Sequence, residues 1–233
     1  MKLLQINLAE GAEAADTTAT AVEPTIETLS IMELFLAGGW YIMIPLVILS
    51  IVSVYIFIER YLAIQRAEKD EANFMENIKK YIHDGKIDAA FSLCKNTPTP
   101  YARLIEKGIS RIGKPLNDIS VAIENVGKLE VYKLEKSLAT LATVAGAAPM
   151  IGFLGTVIGM IFTFHEMKIS GNAVEISQLS GGIMQAMVTT VAGLIVGIIA
   201  YIGYNLLIAK VEKVIYKLEV TTIEFMDLLQ EPV

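Results

Sequence analysis

Hydroxyl and amide side chains stand out in two long stretches that contain no Asp, Glu, Lys or Arg, residues 137–164 and 176–209. The groups of interest there are Thr156, Thr163, Gln185, Thr189 and Thr190. A threonine hydroxyl donates and accepts hydrogen bonds but does not titrate near neutral pH. Such groups can line a hydrated path for an ion, or they can bond a carbonyl of their own helix or of a neighbouring helix. The residues alone leave both interpretations open.

The spacing of these residues groups them on helix faces. Thr156 and Thr163 are seven residues apart, which places them on nearly the same face of a helix. Gln185 and Thr189 form an i, i+4 pair, and Thr190 lies about a quarter turn further round. A ring of several copies would bring such groups together around one axis.

Small residues accompany the hydroxyls. Gly155 with Gly159 and Gly193 with Gly197 are both GxxxG pairs. Lipid tails are as apolar as leucine, so membrane helices associate through close backbone approach, which glycine permits. We predict that these four glycines pack helices together and that their faces hold an oligomer.

No carboxylate lies in either uncharged stretch. Machines that couple proton movement to conformation usually hold an ionisable group within the membrane. If this chain belongs to such a machine, the acid must come from another polypeptide.

Other reactive residues are few and far apart in the sequence. His83, His165 and Cys94 are the two histidines and the one cysteine. We interpret His165 as an interfacial polar residue rather than a pH sensor, and Cys94 as a small buried hydrophobe. The sequence predicts neither an enzyme nor a site for a metal or cofactor.

Length and composition indicate the elements that must position these groups. A helix rises ~1.5 Å per residue and a bilayer core is ~30 Å thick, so both uncharged stretches are long enough to cross. A third apolar segment covers residues 40–58, and 54% of the chain is hydrophobic. All of the 19 Lys and Arg residues except Lys2 and Lys168 lie in residues 60–136 or 210–217, which predicts that these two segments are cytoplasmic.

These observations predict an all-α integral membrane protein with three transmembrane helices, the second and third being long and extending into a helical cytoplasmic domain. We expect a helix end near Gly85, a break over residues 97–100, and a helix that opens after Pro115 and runs without interruption into the second span. The predicted segments are a disordered outer tail (1–30), an interfacial helix with the first span (31–62), a cytoplasmic helical domain (63–136), the second span (137–164), an outer loop (165–176), the third span (177–209) and a cytoplasmic C-terminal helix (210–233).

Two runs resemble a known family. Residues 148–160 read APMIGFLGTVIGM, similar to an APxxGLxGTVxGM run, and residues 182–194 read GIMQAMVTTVAGL, similar to a GIxEALxxTxxGL run. Both are typical of the ExbB/TolQ/MotA family of bacterial proton-channel subunits. Three spans favour the ExbB and TolQ branch, because stators of the MotA type have four.

The resemblance implies a pentameric ring in the bacterial inner membrane, with the second and third spans lining a pore. It implies a periplasmic N-terminus, a cytoplasmic C-terminus and a single-span ExbD/TolR-like partner inside the pore, whose Asp takes up the proton. Thr156 and Thr190 match the family's pore-lining threonines, and Thr163 and Thr189 are further candidates for the path. Gln185 stands where many members have Glu, which puts the role of that charge in doubt here.

The leading hypothesis is a motor subunit that uses the proton motive force to energise TonB-dependent outer-membrane transport. The alternatives are TolQ-like envelope maintenance with a TolA-like protein, a motility motor, and a scaffold that conducts nothing. The resemblance is compatible with protons or sodium ions. We expect contacts with membrane lipid and none with nucleic acid.

Overall fold

The computed structural model describes residues 31–68, 73–170 and 176–230, and these ranges are helical with short connections. The predicted tail, 1–30, lies outside the described residues. The helices are α1 (Ile31–Ala37), α2 (Trp40–Glu68), α3 (Phe74–His83), α4 (Ile87–Asn96), α5 (Pro100–Ile109), α6 (Leu116–Glu135), α7 (Leu138–Ser170) and α8 (Ile176–Gln230).

Three helical segments of the described chain are long and apolar enough to cross a membrane: Trp40–Glu68, Leu116–Ile169 and Leu179–Gln230. In the second segment the apolar part is α7. The all-α fold with three candidate spans is therefore confirmed. The third segment lies within α8, a helix of 55 residues and so ~83 Å long, which exceeds any bilayer core.

The uninterrupted helix expected from residue 116 into the second span is wrong. The chain breaks at Lys136 and Ser137, and Ser137 has φ 69°, in the left-handed region that a residue with a Cβ rarely enters. Arg60 of α2 caps this helix end, since its Nη1 donates a hydrogen bond of 3.0 Å to the backbone carbonyl of Lys133. That carbonyl lies in the last turn of α6, where helices leave acceptors without intrahelical partners.

Helix α7 also ends later than expected. It continues to Ser170, so His165, Glu166 and Lys168 lie on its last turns, although the sequence placed them in a loop. These three side chains are exposed.

The core outside the spans is built on the C-terminal half of α8. Phe225 is fully buried there and packs against Gly108 of α5, at a point where a Cβ would clash with its ring. Pro100 begins α5, a helix that the sequence reading had not identified. Gly85 has φ 71° just after α3, as predicted, and Cys94 is 1% exposed, which confirms it as a buried hydrophobe.

Candidate functional site

The contact between α7 and α8 is made by backbone meeting backbone. A Cβ built on Gly193 would lie 2.6 Å from the carbonyl oxygen of Ala148 and 2.8 Å from Cα of Gly152. One built on Gly152 would lie 2.8 Å from the carbonyl oxygen of Thr189. These distances are too short for any side chain, so the two helices touch only because glycine occupies these positions.

Threonines fit onto glycines in both directions across this contact. Thr189 of α8 lies against Gly155 of α7, where a Cβ would be 2.5 Å from its Oγ1. Thr163 of α7 lies in the same way against Gly182 of α8. The pairing is reciprocal, and it sets the register of the two antiparallel helices.

The glycines of the two GxxxG pairs are therefore buried inside one chain. Beyond the two contacts above, a Cβ on Gly159 would lie 3.2 Å from Cβ of Ala186, and one on Gly197 would lie 2.5 Å from Cγ of Pro149. The expectation that these faces contact other subunits is wrong, because the space next to each glycine is occupied by the other helix of the same chain.

Thr163 and Thr189 share this burial. They are 3% and 0% exposed, and their hydroxyls donate to carbonyls of their own helices, Thr163 to Gly159 at 2.9 Å and Thr189 to Ala186 at 2.8 Å. An own-helix bond is the usual state of a threonine in an apolar helix. Neither hydroxyl is therefore available to a second chain.

Gln185 is directed towards α2. Its Nε2 donates a hydrogen bond of 2.6 Å to the hydroxyl oxygen of Tyr41. Gly39, with φ 77°, lies beneath the amide, where a Cβ would be 2.5 Å from Nε2. The side chain thus joins the start of α2 to α8, a contact that the sequence reading did not foresee because Tyr41 and Gln185 are far apart in the chain.

Thr156 and Thr190 lie on the opposite side of the α7–α8 contact. Ile158 of α7 and Ala192 of α8 pack towards α2, against the cluster that holds Ile42, Met43 and Leu46. Thr156 precedes Ile158 by two positions, and Thr190 precedes Ala192 by two. Two positions correspond to ~200° of rotation around a helix of 3.6 residues per turn. Both threonines therefore face away from α2, beside the line where α7 and α8 meet.

We call the side of α7 and α8 that holds Thr156 and Thr190, away from α2, the open face. Its apolar members are exposed in the isolated chain: Phe153 66%, Val157 41%, Met187 64% and Leu194 44%.

Thr156 and Thr190 are half-buried at the centre of the open face. The Thr190 hydroxyl donates across the contact to the carbonyl of Gly152 at 3.3 Å, and the Thr156 hydroxyl donates to the carbonyl of Phe153 at 2.6 Å. Each hydroxyl has its proton engaged and keeps lone pairs that can accept from water or from an acid. The open face is thus an apolar surface with two oriented acceptors, and it contributes no titrating group of its own.

A polar cluster joins α2, α5 and α6 at the end of α6. Glu130 is 4% exposed and accepts hydrogen bonds from Arg103 at 2.7 Å and from the Lys133 ammonium at 2.6 Å. The backbone carbonyl of Lys133 in turn accepts a hydrogen bond from Arg60. The cluster ties α2, α5 and α6 together close to the break before α7.

The remaining candidates do not join this site. His165 is exposed near the end of α7. The pKa of the buried Cys94 thiol is raised to about 12, first by loss of hydration and then by the nearby Glu106 carboxylate. A thiol with that pKa stays protonated at neutral pH and is inert.

Comparison with known proteins bears on the same segment. The family model described as the MotA/TolQ/ExbB proton channel family matches residues 96–220, which include α7 and most of α8. The chain is 27% identical over 171 residues to a putative biopolymer transport protein, ExbB-like 3, of Synechocystis, covering 73% of this chain and 81% of that one.

Two further relatives carry related names. The biopolymer transport protein ExbB of Aquifex aeolicus is 40% identical over 96 residues, covering 40% of this chain and 64% of that protein. The Tol-Pal system protein TolQ of Pseudomonas aeruginosa is 28% identical over 206 residues, covering 82% and 87%. With the family match spanning both helices of the open face, the chain belongs to the MotA/TolQ/ExbB proton channel family, in its ExbB/TolQ branch.

Proposed function

We propose that this chain is the ring-forming subunit of a proton-driven motor in the bacterial inner membrane. Five copies turn their open faces towards a common axis, and an ExbD/TolR-like single-span protein occupies the pore. The N-terminus lies in the periplasm and the C-terminus in the cytoplasm. The work delivered is TonB-dependent transport across the outer membrane.

The observation that carries this proposal is the open face. An apolar helix pair in a membrane protein needs only apolar side chains towards lipid, yet Thr156 and Thr190 present oxygen atoms there. Both side chains are placed by the glycine contact, since Gly152 lies one turn from Thr156 and accepts the hydrogen bond from Thr190. A rigid pair of acceptors on an exposed face suits a path along which an acid or a water is held.

The roles of the other predicted pathway residues follow from their burial. We assign Thr163 and Thr189 to helix packing, because their hydroxyls bond within their own helices at the α7–α8 contact. We assign Gln185 to the joint with Tyr41. The path through each subunit then depends on Thr156 and Thr190, and the titrating acid is the partner's.

Proton flux into liposomes tests the proposal. Valine keeps the shape of threonine and lacks the hydroxyl, so Thr156→Val removes the acceptor with little change in volume. A hydrogen bond to a charged group is worth roughly 1.5–3 kcal/mol, so we expect flux through the complex with the partner to fall about tenfold or more.

Thr143→Val is the matched control. Thr143 is exposed on the inner part of α7 and also bonds its own helix, to the carbonyl of Ala139 at 2.9 Å. Its replacement should leave flux unchanged. Full flux in both Thr156→Val and Thr190→Val would return the open face to a packing role and would favour a non-conducting scaffold.

The relatives named ExbB and TolQ leave two possible outputs within this proposal. TolQ-like maintenance of the envelope, through a TolA-like protein, is the second. Deletion of the gene followed by assays of siderophore-dependent growth and of detergent sensitivity separates them, because the first output predicts loss of growth without a leaky envelope.

A further inference from the structure

A continuous groove runs between α6 and α8 beyond the inner end of the spans. Its two parts have volumes of about 550 and 620 Å³. Tyr132, Glu135 and Ile215 line both parts, so the groove is one feature that begins at the break before α7 and extends along the cytoplasmic helices.

The groove continues the open face. Ile208 lines its upper part and follows Thr190 by 18 residues along α8. At 3.6 residues per turn this separation is five whole turns, so Ile208 lies directly below Thr190 on the same side of the helix. A rod lying along the open face would enter the groove at its inner end.

The floor of the groove is apolar, and exposed apolar side chains remain along it. Val131 and Leu218 line it, together with Tyr132 at 71% and Ile223 at 60% exposure. These residues lie outside both uncharged stretches, Val131 and Tyr132 before residue 137 and Leu218 and Ile223 after Ala209, where lipid tails no longer cover apolar groups. Exposed apolar groups gathered in one groove mark a contact with another chain.

The rim is acidic. Four glutamates and two lysines line the groove, a net charge of −2 at neutral pH: Glu124, Glu135, Glu212 and Glu219 with Lys128 and Lys136. Lys128 forms an ion pair with Glu124 at 2.7 Å, which lowers the pKa of that carboxyl group. The net negative charge of the rim therefore comes from the other glutamates. The groove therefore suits a basic segment with apolar side chains.

We propose that this groove binds the cytoplasmic segment of the single-span partner, next to its transmembrane helix. The inference rests on the proposed function, which places that helix against the open face. A span is flanked on its cytoplasmic side by Lys and Arg, so the segment that leaves the pore is basic. This basic segment would therefore contact the acidic rim of the groove. A second copy of this chain would instead place its own acidic rim against this one, and the like charges would repel.

Photocrosslinking in the intact complex tests this. The full-length chain is co-expressed with the ExbD/TolR-like protein of the same organism, carrying benzoylphenylalanine at Ile223 or at Glu224. The two positions are neighbours on α8, but Glu224 lines a separate cavity formed with α3 and α5. We expect an adduct with the partner from Ile223 and none from Glu224.

Charge reversal gives the second measurement. Glu212→Lys with Glu219→Lys should reduce the yield of the Ile223 adduct about tenfold. That factor is what we expect when a few surface ion pairs are lost and replaced by repulsions between like charges. Glu224→Lys with Asp227→Lys makes the same change of charge on the same helix outside the lining of the groove, and should leave the adduct intact.

The outcomes separate the two proposals. A partner that co-purifies and supports flux but yields no Ile223 adduct would overturn the groove and leave the proposed function standing. An adduct between two copies of this chain, or equal adducts from both positions, would overturn it as well. A partner that neither co-purifies nor supports flux would remove the proposed function and this inference together.

Discussion

Adding one methyl group at Gly193 tests the backbone contact on which the site depends. In Gly193→Ala the new Cβ would lie 2.6 Å from the carbonyl oxygen of Ala148 and 2.8 Å from Cα of Gly152, against ordinary contacts of 3.4 Å or more. Helices α7 and α8 would have to separate locally by roughly 0.8 Å to restore such a contact. Since the obstructing atoms belong to the backbone, no rotamer change can relieve the clash.

The expected cost follows from two opposing effects. Overpacking of a tight contact costs about 1–3 kcal/mol, while replacing glycine by alanine within a helix returns up to about 1 kcal/mol. We expect a net destabilisation of about 1–2 kcal/mol, with loss of proton flux because Thr190 shifts relative to Gly152. Unfolding in mixed detergent micelles measures the first effect, and liposome flux measures the second.

Matched controls lie on the same two helices. A Cβ at Gly146 of α7 or at Gly181 of α8 would meet no atom within 4 Å in the described chain. Gly146→Ala and Gly181→Ala should therefore be neutral or slightly stabilising. Equal stability of Gly193→Ala and the two controls would refute the reasoning, because it would show that the helices do not touch at Gly193.

Three further predictions concern residues away from the open face. Tyr41→Phe should destabilise the chain by about 0.5–1.5 kcal/mol, and Gln185→Leu should add little to it in a double-mutant cycle, since each change removes the same hydrogen bond; additive losses would contradict the joint. Cys94 should resist a thiol reagent at pH 7.5 and react only after unfolding, because its pKa of about 12 keeps the thiolate scarce and its side chain is buried; a native rate equal to the denatured rate would contradict this. Topology is therefore best mapped with new cysteines at exposed positions, His165→Cys and Lys128→Cys, and an impermeant reagent should reach only the first in intact spheroplasts.

The comparison between expectation and structure is clearest at the hydroxyl groups. Composition and spacing do not distinguish Thr156, Thr163, Thr189 and Thr190, each a threonine in an uncharged helix, and only the resemblance to the family's two runs singled out the first and the last. Their environments differ because a helix places neighbouring residues ~100° apart, so Thr189 is buried against Gly155 while Thr190 faces outward. Which of the two is buried depends on where the second helix lies, and no local pattern states that.

The break before α7 gives a second case. The sequence around Ser137 contains no glycine or proline, so the helix was expected to continue. In the structure Arg60, which is distant in the chain, donates to the Lys133 carbonyl, so the last turn of α6 has a hydrogen-bond partner outside the helix. This contact depends on α2 and α6 lying side by side, so only the tertiary structure reveals it.

The three apolar spans could be predicted from the sequence, because membrane insertion depends on the length and apolarity of each segment taken singly. The family could be predicted as well, because its two runs are continuous in the chain. Three features became apparent only in the folded chain: the glycine faces meet each other, Gln185 turns to Tyr41, and Thr156 and Thr190 lie on one open face. The physical reason is that close packing is a property of pairs of surfaces. A GxxxG pair states that some backbone comes near, and only the path of the chain decides which one.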